Sequence, residues 1–81
     1  MAMHFNNNCE PTTRELEVMD LLYEGHSNKE TAKRLGITLR TVEHHLETAY
    51  QKLNAHGRAD AVVKALRIGW ITLENDSDTE N

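Results

Sequence analysis

TLRTVEHHLETAYQKL, residues 38–53, separates into two faces when wound as a helix. Val42, Leu46, Ala49 and Leu53 recur at steps of four, three and four, which is one apolar stripe at helical period. Arg40, Glu43, His44, Glu47 and Gln51 fall on the other face, where long polar side chains can donate or accept hydrogen bonds. Immediately upstream, SNKETAKRLGIT is a short helical segment that ends at Gly36. A helix, a glycine-containing turn and a second helix with a polar outer face form a helix-turn-helix pattern. In such a pattern the second helix enters the major groove of double-stranded DNA, and the rest of the chain holds it there.

The flanking segments supply that support. Thr12 followed by Glu15 is a capping-box signature that opens a first helix in TTRELEVMDLLYEG. Leu16, Met19, Leu22 and Tyr23 share one of its faces, Val18 and Leu21 lie beside them, and Gly25 marks its end. Ser27 and Glu30 repeat the device before a second helix over about 28–35, with Ala32 and Leu35 turned inward. Its exposed N–H groups and dipole suit a phosphate, and Asn28 and Lys29 stand there as further donors. Gly36 permits the turn, Ile37 plugs it, and Thr38 caps the third helix. NAHG, 54–57, is a turn, after which RADAVVKALRIGW starts a fourth helix over about 58–68. That helix has more apolar surface than one buried face needs. Val62, Ala65 and Leu66 are expected to line the core, while Val63, Arg67 or Trp70 remain outside as a strip for a partner helix, with Trp70 and Leu73 open to either covering the core or completing a dimer contact. Ile71 is expected in the core. Residues 1–10 are expected to be a flexible leader, 11–73 the folded unit and 74–81 an acidic disordered tail.

The chain of 81 residues fits one all-α domain, small enough that a partner would help to stabilise it. The net charge of −4 argues against a polyanion ligand until it is resolved along the chain. Glu74, Asp76, Asp78 and Glu80 crowd the last eight residues, whereas 29–58 holds six bases against three acids. Local rather than total charge governs contact with phosphates. The single cysteine, Cys9, excludes a disulfide framework and fits a reducing, cytoplasmic setting. No apolar run approaches the ~18 residues of a membrane span, and MAMHFNNNCE has no secretory pattern.

Enzymatic chemistry finds no foothold. Cys9 has no base nearby in sequence, and His4, His26, His44, His45 and His56 do not fall at metal-ligand spacings. No phosphate-cradling glycine loop or cofactor fingerprint is present, so neither cofactor nor metal is expected. Glu43 and Glu47 stand one turn apart on a face expected to be open to water, which is no setting for paired-carboxylate catalysis. They suit direct readout better, because a glutamate in the major groove accepts from the exocyclic amine of cytosine. The plainer reading of the two is surface charge, paired with Arg40 or Gln51 at helical spacing.

Taken together, T-x-R-E-x-E-V at 12–18, E-G-x-S-N-K-E-x-A-K-R-L-G-I at 24–37, R-T-V-E-x-H-L at 40–46, K-L at 52–53 and R-A-x-A-V at 58–62 resemble the LuxR/GerE-type (NarL/FixJ-type) DNA-binding domain. The match covers about residues 11–71, and its ending is most similar to the GerE-like and DegU-like members. The resemblance implies four helices, with the second and third forming the DNA-binding unit and the fourth making a symmetric dimer on paired half-sites. It implies base reading by Glu43, His44 and Glu47, to which the polar face adds Arg40. It implies phosphate contacts at Asn28, Lys29, Thr41, His45, Lys52 and Arg58, and core places for Val42 and Leu46. Several relatives carry lysine where this chain has Glu43 and Glu47, so a different operator is expected. No receiver or ligand-binding domain precedes the motif, which fits a minimal regulator or a piece of a larger one. RNA polymerase is a further candidate partner of such a regulator. The rival reading is a protein-interaction module that docks through its fourth helix without binding DNA, motivated by the acidic total and the two groove-facing glutamates.

Overall fold

Three residues with short hydroxyl side chains set where helices begin. Thr12 accepts from the Glu15 N–H at 3.1 Å while the Glu15 carboxylate accepts from the Thr12 N–H at 3.0 Å. Ser27 and Glu30 close the same reciprocal pair, at 3.1 Å in both directions. Thr38 accepts from the Thr41 N–H at 3.1 Å. Each bond satisfies an N–H that the first turn of a helix leaves without an internal partner. The computed structural model describes residues 10–72, and within them these caps open α1 (Thr13–Tyr23), α2 (Asn28–Leu35) and α3 (Leu39–Leu53), followed by α4 (Arg58–Arg67). No strand occurs among the described residues, so the architecture is the expected all-α, four-helix one. The leader through Cys9, Leu73 and the acidic tail lie outside the described residues.

Two left-handed residues end helices sharply. Gly36 closes α2 at φ 70°, a conformation that costs glycine nothing and a side chain 1 kcal/mol or more in order of magnitude. Asn54 closes α3 at φ 57°, asparagine being the side chain that tolerates this region best. The turn between α2 and α3 is therefore short, and the two helices are locked as a pair.

The core forms around α3, which, like α1, is in contact with all three other helices. Its Val42, Leu46, Ala49 and Leu53 are buried, as the apolar stripe requires. They meet Val18, Met19 and Leu22 of α1, Ala32 of α2, Ala61 and Ala65 of α4, and Ile71 beyond it. Thr31 is buried with them, and its hydroxyl has no hydrogen-bond partner.

In two places the packing departs from the sequence expectation. On α1 the inward positions are Glu15, Val18, Met19 and Leu22, spaced three, four and seven from the first, and Leu16 is only half-buried. A carboxylate thus occupies the site expected for a leucine. It is tolerated because the Lys52 ammonium reaches it from the far end of α3 at 2.8 Å. On α4 the deepest residues are Ala61 and Ala65, with Val62 and Leu66 packed half-buried at the margin. Trp70, expected outside, is half-buried against the core. Its N–H donates to the Ala65 carbonyl at 2.8 Å, which turns the chain back after α4 and lays the indole on apolar side chains.

Burial pushes the Glu15 carboxyl up, but the hydrogen bond and charge of Lys52 and the Thr12 N–H outweigh it and hold it below its ordinary value. A carboxyl more acidic folded than unfolded contributes stability that is complete above the unfolded pKa of about 4.3 and lost as pH falls through the folded value. The urea midpoint of the wild type should therefore drop more steeply below pH ~4 than that of Glu15→Gln. At neutral pH, Glu15→Leu or Lys52→Met alone should cost on the order of 3 kcal/mol, and the double variant should recover most of it. Additive losses in that cycle would show that the pair is not coupled.

Candidate nucleic-acid interface

The outer face of α3 is set by the same period that buries its inner one. Arg40, Glu43, His44 and Glu47 are all exposed, and Thr41 and His45 flank them half-buried. Among the described residues, no hydrogen bond or ion pair engages the side chains of Arg40, Glu43, His44 or Glu47. The plainer reading of the two glutamates, pairing with Arg40 or Gln51, is therefore not what the structure holds. The His44 and His45 rings sit 6.1 Å apart, tilted by 55°. Two shallow grooves border the stripe. One is lined by Thr38, Arg40, Thr41, Glu43, His44 and His45, the other by Asn28, Glu43, Leu46, Glu47 and Tyr50. Glu43 belongs to both, so it forms the rib between them. Burial in the second groove raises the Tyr50 hydroxyl pKa, only partly offset by the Arg58 charge.

The N-terminus of α2 opens on that second groove. Asn28, its first residue, turns a carbonyl oxygen inward with no partner, and Lys29 beside it is exposed. His26 lies just before the cap, 3.5 Å from both Glu24 and Glu30. The Ser27 N–H and then His26 hold the Glu30 carboxyl below its ordinary value.

The six residues expected at phosphates fall into two groups. Asn28, Lys29, Thr41 and His45 border the α3 stripe or the α2 N-terminus. Lys52 and Arg58 are engaged within the fold. The Lys52 ammonium donates to Glu15 at 2.8 Å and to the Glu10 carbonyl at 3.0 Å, tying the start of α1 to the end of α3. The Arg58 guanidinium donates to the His26 carbonyl, tying α4 to the α1–α2 turn. Both distant partners are invisible to local sequence patterns. One clue was available for the first: Glu15 sits three, four and seven residues before Val18, Met19 and Leu22, which marks it as an inward position.

On α4, Val63 and Arg67 are exposed, as expected of the outer strip, whereas Trp70 is half-covered. Ile68, which the sequence reading did not place there, is the most exposed large apolar residue among the described ones at 60%, in a shallow depression with Lys52, Leu53, Asn54, Lys64 and Arg67. Leu39, 40% exposed at the first position of α3, was not singled out either. No group of three or more metal-ligating side chains occurs among the described residues. No described helix is long and apolar enough to cross a membrane.

A rigid helix pair that presents an unengaged polar stripe beside a capped helix N-terminus defines a helix-turn-helix domain of the DNA-binding class. Comparison with known proteins agrees. The family described as bacterial regulatory proteins, luxR family, matches residues 12–65. The spore germination protein GerE of Bacillus subtilis is 45% identical over 62 residues, covering 76% of this chain and 84% of that protein. The transcriptional regulatory protein DegU of Brevibacillus brevis is 38% identical over 60 residues, 74% of this chain but 25% of its own length. The chain thus spans a quarter of some relatives and most of another. A solved structure of the transcription factor GerE superposes with a TM-score of 0.73 at 36% identity, covering 78% of this chain and 94% of that one. The chain belongs to the luxR family of bacterial regulatory proteins, a family of DNA-binding transcription regulators and not of enzymes.

Because Ser27 fixes the first turn of α2, Ser27→Ala should remove about 1 kcal/mol of stability. In a domain of this size that lowers the melting temperature by roughly 4–8 °C. Calorimetry on the full chain checks it, with Ser27→Asp retaining the wild-type value.

Proposed function

We propose that the chain binds double-stranded DNA sequence-specifically as a homodimer and regulates transcription, with α3 in the major groove. The observation that carries this reading is the stripe Arg40, Glu43, His44 and Glu47, exposed on a helix packed into the core and with no side-chain hydrogen bond or ion pair among the described residues. A protein that only needed solubility from those groups would gain by pairing them at helical spacing. Here they are left with their hydrogen-bonding capacity free for base edges.

In this reading Glu43 and Glu47 accept from cytosine amines, while Arg40 and His44 address purine edges. The carboxylates repel phosphate and so favour discrimination over affinity. Attraction comes from Lys29 and the α2 N-terminus, with Asn28, Thr41 and His45 around it. Arg58 reaches the same side once its His26 contact is shared with a phosphate. Lys52 contributes mainly by holding α3 in place, since its ammonium is committed to Glu15 and Glu10.

The dimer would form through α4, where Val63 and Arg67 are exposed, with Trp70 at its end and Ile68 nearby. Residues 11–73 would then be the DNA-binding unit, acting in the cytoplasm and addressing RNA polymerase according to where the operator lies.

Selection of bound duplexes from a random pool at physiological salt tests the reading, and a two-fold symmetric motif is expected. Enrichment of a single asymmetric site would remove the dimer, and no enrichment would remove sequence-specific binding. On the selected duplex, log K should fall linearly with log salt, and Lys29→Ala should reduce that slope by about 1. Glu43→Ala should instead relax preference at one base position at unchanged slope.

A further inference from the structure

We propose that Leu39 is a further specificity-determining residue, whose exposed side chain packs on the C5-methyl group of a thymine in the major groove. The inference rests on the DNA-binding reading above and adds to it an apolar contact.

Leu39 is the first residue of α3, directly after the Thr38 cap. It is 40% exposed and is not among the apolar side chains packed against the core. The first turn of a helix gains from polar or acidic residues, and α3 has no acidic residue there. Leu39 lies three and seven residues before Val42 and Leu46 and so borders the apolar stripe, yet its side chain is left exposed rather than packed into the core. Nor does it extend the apolar surface of α4. Ile68 sits by Leu53 and Asn54, at the opposite end of α3. Fourteen residues of helix separate Leu39 from Leu53, about 21 Å along the axis.

What Leu39 does share is a ridge with the two glutamates. Leu39, Glu43 and Glu47 are spaced four and four, so they follow one another along one side of the helix. A duplex that brings base edges to Glu43 and Glu47 carries its next steps past Leu39. The N-terminal residues of a recognition helix are those that point at base edges. Leu39 lies about 6 Å from Glu43 along the axis, one to two base-pair steps of ~3.4 Å. In an unmodified major groove the one aliphatic group on a base edge is the thymine methyl. The pairing is complementary in kind: two acceptors for cytosine amines, then a hydrocarbon for a methyl.

The experiment uses the full chain and the duplex selected from the random pool. The base position read by Glu43 is located as the one whose preference relaxes in Glu43→Ala. A thymine, on either strand, is expected within two base pairs of it. Replacing that thymine by uracil removes only the methyl group and should weaken wild-type binding about fourfold, the value of one buried carbon. Leu39→Ala should bind the thymine and uracil duplexes equally, and Leu39→Met should keep the discrimination. A selected motif with no thymine in that window overturns the assignment, as does equal wild-type binding to both duplexes or full discrimination by Leu39→Ala. Absence of binding to any duplex is a different result, which overturns the DNA-binding reading itself.

Discussion

One rod has to satisfy two surroundings at once, and the rest of the molecule follows from that. Val42, Leu46, Ala49 and Leu53 take α3 into contact with α1, α2 and α4, while the side a half-turn away meets water. The period of 3.6 residues makes this division possible with no irregularity in the backbone. It also makes the orientation of the outer stripe a property of the core. A shift in the packing of Val42 or Ala49 rotates Glu43 and His44 with it. Precision at a groove is thus bought with hydrocarbon rather than with a loop.

So small a core leaves room for polar ties to matter. Lys52 joins the end of α3 to the start of α1, and Arg58 joins α4 to the α1–α2 turn. Lys64 holds the Asn54 carbonyl at 2.6 Å and Asp60 at 3.2 Å, steadying the bend between α3 and α4. Asp60 also accepts from the His56 N–H at 3.0 Å, which offsets the lack of a side-chain cap at Gly57. These bonds add polar links between helices already joined through the core. Their cations thereby become part of the scaffold, and the exposed positive charge beside the α3 stripe rests mostly with Lys29 and Arg40.

What the sequence disclosed was local. Thr12, Ser27 and Thr38 announce their helices because a cap and its partner lie three residues apart. The stripe on α3 is legible because burial has a period. Four helices and the outward face of α3 follow from these signals, and the family resemblance adds which positions to examine. What stayed hidden was distant or mixed in character. Glu15 looks like a capping residue, and it is one, but its second partner is 37 residues away. Lys52 looks like a surface cation until that partner is seen. Trp70 was placed in the outer strip because the fourth helix has surplus apolar surface, whereas the chain bends back over Ala65 and lays it half-buried on the core. Leu39 continues the period of the buried stripe, three residues before Val42, so its exposure at the helix start is what the pattern conceals.

Thr31 points to a different property. Its hydroxyl is sealed between helices and finds no acceptor or donor. Valine has nearly the same shape and would leave no oxygen stripped of water. The inside of α2 is thus short of its own optimum, at a position that presents no atom to solvent. The domain retains headroom for thermal hardening through a residue that its outer surface does not display.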